Sequence, residues 1–213
     1  MIGVIVPLLD LIALKGEENV LGILSRFSCH GKNDEVEAYL KETAIRHTRK
    51  NTSITHLVMT PDCSECLAYY TLAVKPFAIS AERLNNRQKK EMRDVAKMRK
   101  DENSKDFLIS AYLIAQLGRN FVVPEKWHVT GRDLFNAIFG QISAIRRQVG
   151  GKVVFVEYEK EKKRLLKFYQ DHGFQEFKVP SDGADSGKLG QLFFFLNGSS
   201  CMTVGVRSRH NLI

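Results

Sequence analysis

Apolar and polar residues alternate along this chain with two different periods, and the switches between them mark its elements. Residues 34–50 (DEVEAYLKETAIRHTRK) set Val36, Tyr39, Leu40, Ala44 and Ile45 at helical spacing, with acids leading and bases trailing as the helix dipole favours. The runs 54–60 (ITHLVMT) and 65–74 (ECLAYYTLAV) are β-branched and aromatic on either side of a Pro-Asp turn, which predicts an antiparallel hairpin. FLISAYLIAQL, starting at Phe107, is the most continuously apolar run and predicts a central strand. From Thr130 the period is helical again: Thr130 and Asp133 make a capping box, Leu134, Phe135, Ile138, Phe139, Ile142 and Ile145 line one face, and Gly150 and Gly151 stop it. A strand over 152–158 and a helix over 160–172 follow, the latter turning Leu165, Leu166, Phe168 and Tyr169 inward and ending at Gly173. Strands over 174–179 and 191–196, joined by a Gly, Ser and Asp loop, complete an α/β (α+β) pattern without internal repeats.

A chain of 213 residues with 44% hydrophobic content can bury a full core, and we read 1–196 as one domain and 197–213 as a weakly ordered tail. The amino end, MIGVIVPLLDLIAL, is apolar but broken by Pro7 and Asp10, has no positive start or cleavage signal, and falls short of the ~20 apolar residues that cross a bilayer. A cytoplasmic protein whose first segment is tucked into the core, with no membrane partner, is the expectation. Residues 83–100 (RLNNRQKKEMRDVAKMRK) are dominated by Lys and Arg and predict a basic helical insert within 83–106. The formal charge of +8 favours an acidic partner, with nucleic acid first and a generally basic surface as the alternative. Cys63 and Cys66 form a C-x-x-C inside TPDCSEC with no second pair of ligands, so a plain hairpin loop is expected and no metal.

Three segments together carry a resemblance: YLIAQLGRNF (112–121), the TGRDLF opening at Thr130, and KFYQDHGF (167–174). Their order and composition resemble the GNAT superfamily of N-acetyltransferases over roughly residues 12–196. That resemblance implies a mixed, mostly antiparallel central sheet of about seven strands flanked by helices and splayed at the fourth and fifth strands, with acetyl-CoA in the gap. It would put Gln116, Leu117 and Gly118 beside the thioester, with the amide of Leu117 or Gly118 polarising its carbonyl. It would put Lys126, Thr130, Gly131, Arg132 and Asp133 at the pyrophosphate, although KWHVTG has Val129 where the family has its middle glycine. Lys162 and Leu165 stand where the family often has Asn and Ala, and Lys162 is assigned to the cofactor. The spacing of Phe168, Tyr169, Gly173 and Phe174 matches the family's setting for the tyrosine that protonates the departing thiolate. A phenol with pKa near ~10 is well matched to that proton transfer.

No carboxylate pair or histidine announces itself as a base; Glu125, His128, Asp171 and His172 are candidates by position. This favours an acceptor amine of low pKa, such as an aminoacyl-tRNA or a protein amino terminus. The front half, FSCHGKNDEVEAYLKETAIRHTRKNTSITHLVM followed by LAYYTLAV, resembles the GNAT-type toxins of bacterial toxin-antitoxin modules on Phe27, Cys29, Gly31, Tyr39, Leu40, Ala44, Tyr69, Tyr70 and Leu72, with His30 and Ala68 departing from the pattern. The resemblance implies acetylation of aminoacyl-tRNA, a ribbon-helix-helix antitoxin and a homodimer. Arg83, Arg87, Lys89, Lys90, Arg93 and Lys97 are the corresponding RNA-binding candidates. Acetylation of a protein or small-molecule amine, or a catalytically silent module of the same fold, are the alternatives.

Overall fold

The computed structural model describes residues 3–93, 97–101, 104–176 and 189–196. Strand β1 (Val4–Pro7) leads directly into α1 (Leu8–Lys15), which Gly16 separates from α2 (Glu17–Ser25). A loop then reaches α3 (Asp34–Ala38), capped by the Asn33 side chain, and a wider π turn over Tyr39–Thr43 joins it to α4 (Ala44–Arg49). Next come β2 (Ile54–Met59), the long β3 (Cys66–Ser80), a 3-10 turn at Ala81–Arg83, α5 (Asn86–Arg93), β4 (Lys97–Asp101) and β5 (Ser104–Arg119). A second 3-10 turn (Glu125–Trp127) precedes α6 (Gly131–Val149), β6 (Val153–Glu159), α7 (Lys163–Asp171), β7 (Gln175–Glu176) and β8 (Leu189–Phe195).

Among the described residues, seven strands run across the sheet in the order β1-β2-β3-β5-β6-β8-β7, and β4 pairs with β5 as an eighth. Every pairing is antiparallel except β5 with β6. Those two occupy the fourth and fifth places across the sheet, where the splay is expected. The back face packs Tyr70, Leu72, Val154, Val156 and Leu192 against Leu134, Phe135, Ile138 and Ile142 of α6 and Tyr169 of α7. The front face is covered by α1 to α4 through Leu8, Leu11, Leu24, Leu40 and Ala44, and further along by α5 through Met92.

The capping box at Thr130, the inward faces of α6 and α7, the β2–β3 hairpin and the central apolar strand stand as expected. Three features differ. The helix α2 follows a weak pattern that gave no reading; β3 runs to Ser80 rather than Val74; and within the basic stretch α5 covers Asn86–Arg93, burying Gln88 and Met92, while Lys97–Asp101 is a strand paired with β5. The strand expected over 174–179 is described as Gln175–Glu176, with 177–188 and the tail 197–213 outside the described residues. The C-x-x-C runs from the β2–β3 loop into the first residue of β3, and in that loop Asp62 accepts hydrogen bonds from Thr60 and Ser64 that hold its carboxyl down at about 2.

The α2–α3 loop is tied to the end of β5 from both sides. Glu37 accepts hydrogen bonds from the Cys29 amide (2.8 Å), the Ser28 hydroxyl (3.1 Å) and Lys41 (2.6 Å), and the Lys41 contact above all holds its carboxyl below the usual glutamate range. Asn120 accepts from the Ser28 amide and donates to the Cys66 carbonyl, and the Phe121 amide donates to Ser28. This brings Gly118 against the loop and α3: a Cβ there would lie 2.6 Å from Val36 Cγ1 and 2.8 Å from the Tyr69 ring. Tyr69 cannot yield, since its hydroxyl donates to the Val36 carbonyl at 2.6 Å in the core. Gly118→Ala should therefore destabilise the fold by about 1–3 kcal/mol in urea unfolding; unchanged stability would contradict this packing.

Candidate active site

Strands β5 and β6 pair only at Tyr112–Val154, Leu113–Phe155 and Ile114–Val156. Both continue, β5 to Arg119 and β6 to Glu159, with no partner in each other. The divergence begins at an extra residue: Thr71 pairs with Gln116 and Leu72 with Ile114, which leaves Ala115 as a bulge in β5. Beyond it, the Asn120 amide donates to the carbonyl of Leu67, one step past the Arg119–Ala68 pair. Bonded and non-bonded pairs alternate in an antiparallel ladder, so Gly118–Tyr69 and Gln116–Thr71 exchange hydrogen bonds while Leu117–Tyr70 and Arg119–Ala68 do not. The amides and carbonyls of Leu117 and Arg119 consequently face the gap, whereas those of Gly118 face β3.

A cavity of about 190 Å³ fills the divergence, lined by Gln116, Leu117, Glu157, Tyr158, Lys162 and Tyr169 among others. Tyr169 is 4% exposed, its ring wedged between Phe135 (5.9 Å), Phe168 (5.8 Å) and Phe174 (5.6 Å). Its hydroxyl has no hydrogen-bond partner among the described residues. Burial pushes its pKa above the usual tyrosine value, so the phenol stays protonated throughout the neutral range. A buried, fixed phenol and an unpaired backbone amide thus line one cavity, and groups of these kinds can serve as proton donor and oxyanion donor.

The second chamber, about 380 Å³, continues past Leu117 and Gly118 to Lys32, Arg119, Phe121, Gly131 and Phe168. Here the amides of Gly131 and Arg132 open α6, while the box takes up the rest: Thr130 Oγ1 accepts from the Asp133 amide, and the Asp133 carboxylate accepts from the Thr130 amide at 2.9 Å. Those contacts, the Thr130 hydroxyl first, hold the Asp133 carboxyl below the ordinary aspartate range, so Asp133 acts as a cap and its charge faces the loop. Gly131 is required by close approach, because a Cβ would meet the Phe168 ring at 2.7 Å. Val129, in place of a glycine, is buried in the core and its carbonyl accepts from the Arg119 guanidinium at 3.0 Å. Arg119 and Lys32 both sit over the Phe121 ring, at 4.8 and 3.7 Å, placing two cations beside the helix amino end.

The sequence reading missed Lys32 and Arg119, which come from a loop and a strand end far apart in the chain. Their one local signal was position: Lys32 precedes the Asn33 cap and Arg119 follows the glycine of the central strand. Arg132 is exposed at the first turn of α6, and Lys162 lines the cavity while pairing with Glu159 at 2.7 Å. Lys126 lies elsewhere, in a 3-10 turn beside Trp127 on a separate hollow lined by Arg26, Asp62 and Asn120. The four base candidates do not line the cavity: His172 Nδ1 is 2.7 Å from the Phe168 carbonyl, His128 Nε2 is 3.0 Å from the Val123 carbonyl, Asp171 pairs with Lys167, and Glu125 stands in the turn with Lys126. Arg83 lies in the turn before α5, Arg87, Lys89, Lys90 and Arg93 lie on α5, and Lys97 opens β4. Among the described residues, no group of three or more His, Cys, Asp or Glu could hold a metal, and no helix is long and apolar enough to cross a membrane.

No family model and no curated protein matches the sequence. Solved structures do match in shape. AtaT complexed with acetyl-methionyl-tRNAfMet superposes with a TM-score of 0.60 at 18% identity, over 90% of this chain and 94% of that one. A tyrosine-to-phenylalanine mutant of KacT gives 0.61 at 17% identity over 92% and 95%. A tyrosine-to-phenylalanine mutant of the AtaT toxin, bound to the C-terminus of the antitoxin AtaR and acetyl-CoA, gives 0.53 at 19% identity over 81% and 84%. The chain therefore has the GNAT fold of these toxins, with the splay at the fourth and fifth places of its sheet.

Proposed function

We propose that this protein is an acetyl-CoA-dependent N-acetyltransferase that acts on the α-amine of aminoacyl-tRNA and so blocks translation in the cytoplasm. The observation that carries the reading is the early end of the β5–β6 pairing, which leaves the Leu117 amide open toward the cavity that the buried Tyr169 also lines. The residues present fit acetyl-CoA: unpaired backbone on β5 for the pantetheine amides, then the Gly131 and Arg132 amides with Lys32 and Arg119 for the phosphates. When bound, acetyl-CoA supplies an acetyl group activated as a thioester. The Leu117 N–H polarises the carbonyl oxygen as negative charge develops there. Tyr169 holds a proton at Oη for the departing sulfur, and the dry surroundings that raise its pKa also raise the basicity of that sulfur. The acceptor nitrogen gives up one proton as sulfur gains one, so the exchange balances without a metal or redox partner.

AtaT with acetyl-methionyl-tRNAfMet supports the acceptor, and AtaT with AtaR and acetyl-CoA supports a protein antitoxin as a further partner. The placement of α5 supports RNA as well. It packs through Met92 on the front face, the face that also carries α3, and turns Arg87, Lys90 and Arg93 outward. Phosphate contacts by such residues supply sequence-independent affinity.

Tyr169→Phe should keep the melting temperature and the acetyl-CoA-induced stabilisation while lowering kcat by about 10²–10⁴-fold. Unchanged turnover would remove the assigned role, and absence of any stabilisation of the parent protein at millimolar acetyl-CoA would favour a silent module. Replacing Arg87, Lys89, Lys90 and Arg93 by Gln should weaken tRNA binding in a filter assay and flatten its dependence on salt by about 0.7–0.9 in log–log slope for each phosphate no longer neutralised. An unchanged slope would take α5 out of the RNA interface.

A further inference from the structure

The two chambers of the cleft carry opposite charge. The one toward α6 presents Lys32 and Arg119 and no acidic side chain. The one holding Tyr169 is lined by Glu35, Glu157 and Glu159, against a single base, Lys162. Lys162 neutralises Glu159 at 2.7 Å, and Gln191 donates one hydrogen bond to Glu157 at 2.9 Å. Glu35, exposed on the first turn of α3, has no partner among the described residues.

The side on which these carboxylates stand follows from the strand period. Val154, Val156 and Tyr158 of β6 pack with α6 and α7 on the back face, so Glu157 and Glu159 alternate to the front, where α3 brings Glu35. An acidic rim alone is a common solvated surface. This rim shares its cavity with Tyr169, a 4% exposed side chain whose hydroxyl has no hydrogen-bond partner among the described residues, and that marks the cavity as the place where a reacting group arrives.

We infer that Glu35, Glu157 and Glu159 form the acceptor entrance and select the acceptor by the positive charge of its amino group. The inference rests on the acetyltransferase reading above and specifies its substrate side: a primary amine that arrives at the front face as ammonium and releases one proton to water before its neutral form attacks, with the coenzyme held in the adjoining basic chamber. The arrangement suits a ligand of mixed charge. An amino group esterified to RNA presents a cation at its tip and phosphates behind it, matching an acidic entrance on the face that also carries the basic α5. Among the described residues nothing in the entrance repels a cation, since the lysine there is already paired. A neutral or anionic acceptor would leave two uncompensated carboxylates beside it.

The test uses the full chain loaded with CoA and two probes of equal shape, L-methioninamide and 4-(methylthio)butanamide, which lacks the amino group. Calorimetric titration should show the charged probe binding at least about tenfold more tightly. In the Glu35→Gln, Glu157→Gln double variant that preference should largely vanish while CoA affinity stays the same, which also reports an intact fold. Equal affinities for the two probes, or a preference that survives the double substitution, would overturn the entrance and leave the coenzyme half standing. Failure of the unaltered protein to bind CoA would overturn both.

Discussion

The structure turns on a ladder that stops early. Backbone amides and carbonyls inside a sheet must be paired, and leaving one unpaired away from water costs on the order of 1–3 kcal/mol. Yet β5 and β6 share only three register pairs before they part at the Ala115 bulge. The parting is stable because each strand keeps its other neighbour: β5 stays zipped to β3 through Arg119, and β6 to β8 through Glu159. The unmet hydrogen-bonding capacity is thereby confined to one side of Leu117 and Arg119. A site that accepts an extended chain of amides between the strands, as the pantetheine arm of acetyl-CoA is, follows from that geometry.

The remaining features prepare the two ends of this gap. On the back face, the aromatic cluster of Phe135, Phe168 and Phe174 fixes the Tyr169 ring, and the same Phe168 presses on Gly131 to bring the start of α6 alongside. On the front, Glu37 and Asn120 lash the loop bearing Lys32 and Asn33 to the end of β5. Removing the cap at Thr130, the ring at Phe168 or the tie at Glu37 would each shift one wall of the same cleft. Fold and site therefore share their determinants, which is why small residues such as Gly118 and Gly131 occur where walls meet.

Local pattern carried most of the fold into view. The alternating run of β2 and β3, the capping box and apolar stripe of α6, and the Tyr169 face of α7 are set by neighbours in sequence and were legible there. Tyr169 and Leu117 were reached through the resemblance, and the structure brings both to one cavity. What escaped was made by tertiary approach. Lys32, Arg119 and the glutamates of the entrance lie in a loop, β5, α3 and β6, and nothing in any one of those segments tells that the others will meet it. The basic stretch misled for a related reason: its lysines and arginines favour helix in isolation, but pairing with β5 converts Lys97–Asp101 into a strand. Likewise, Val129 broke the expected glycine pattern, and the chain answers with an ordinary backbone there and a guanidinium, Arg119, at the carbonyl.

Residue-resolved amide hydrogen exchange across 116–119 tests the central claim most directly. The alternation predicts that the Gln116 and Gly118 amides are protected in the free protein, and that the Leu117 and Arg119 amides exchange quickly and become protected once CoA is added. Slow exchange at Leu117 and Arg119 without CoA would mean that the strands are closed on each other there, and the account would be wrong.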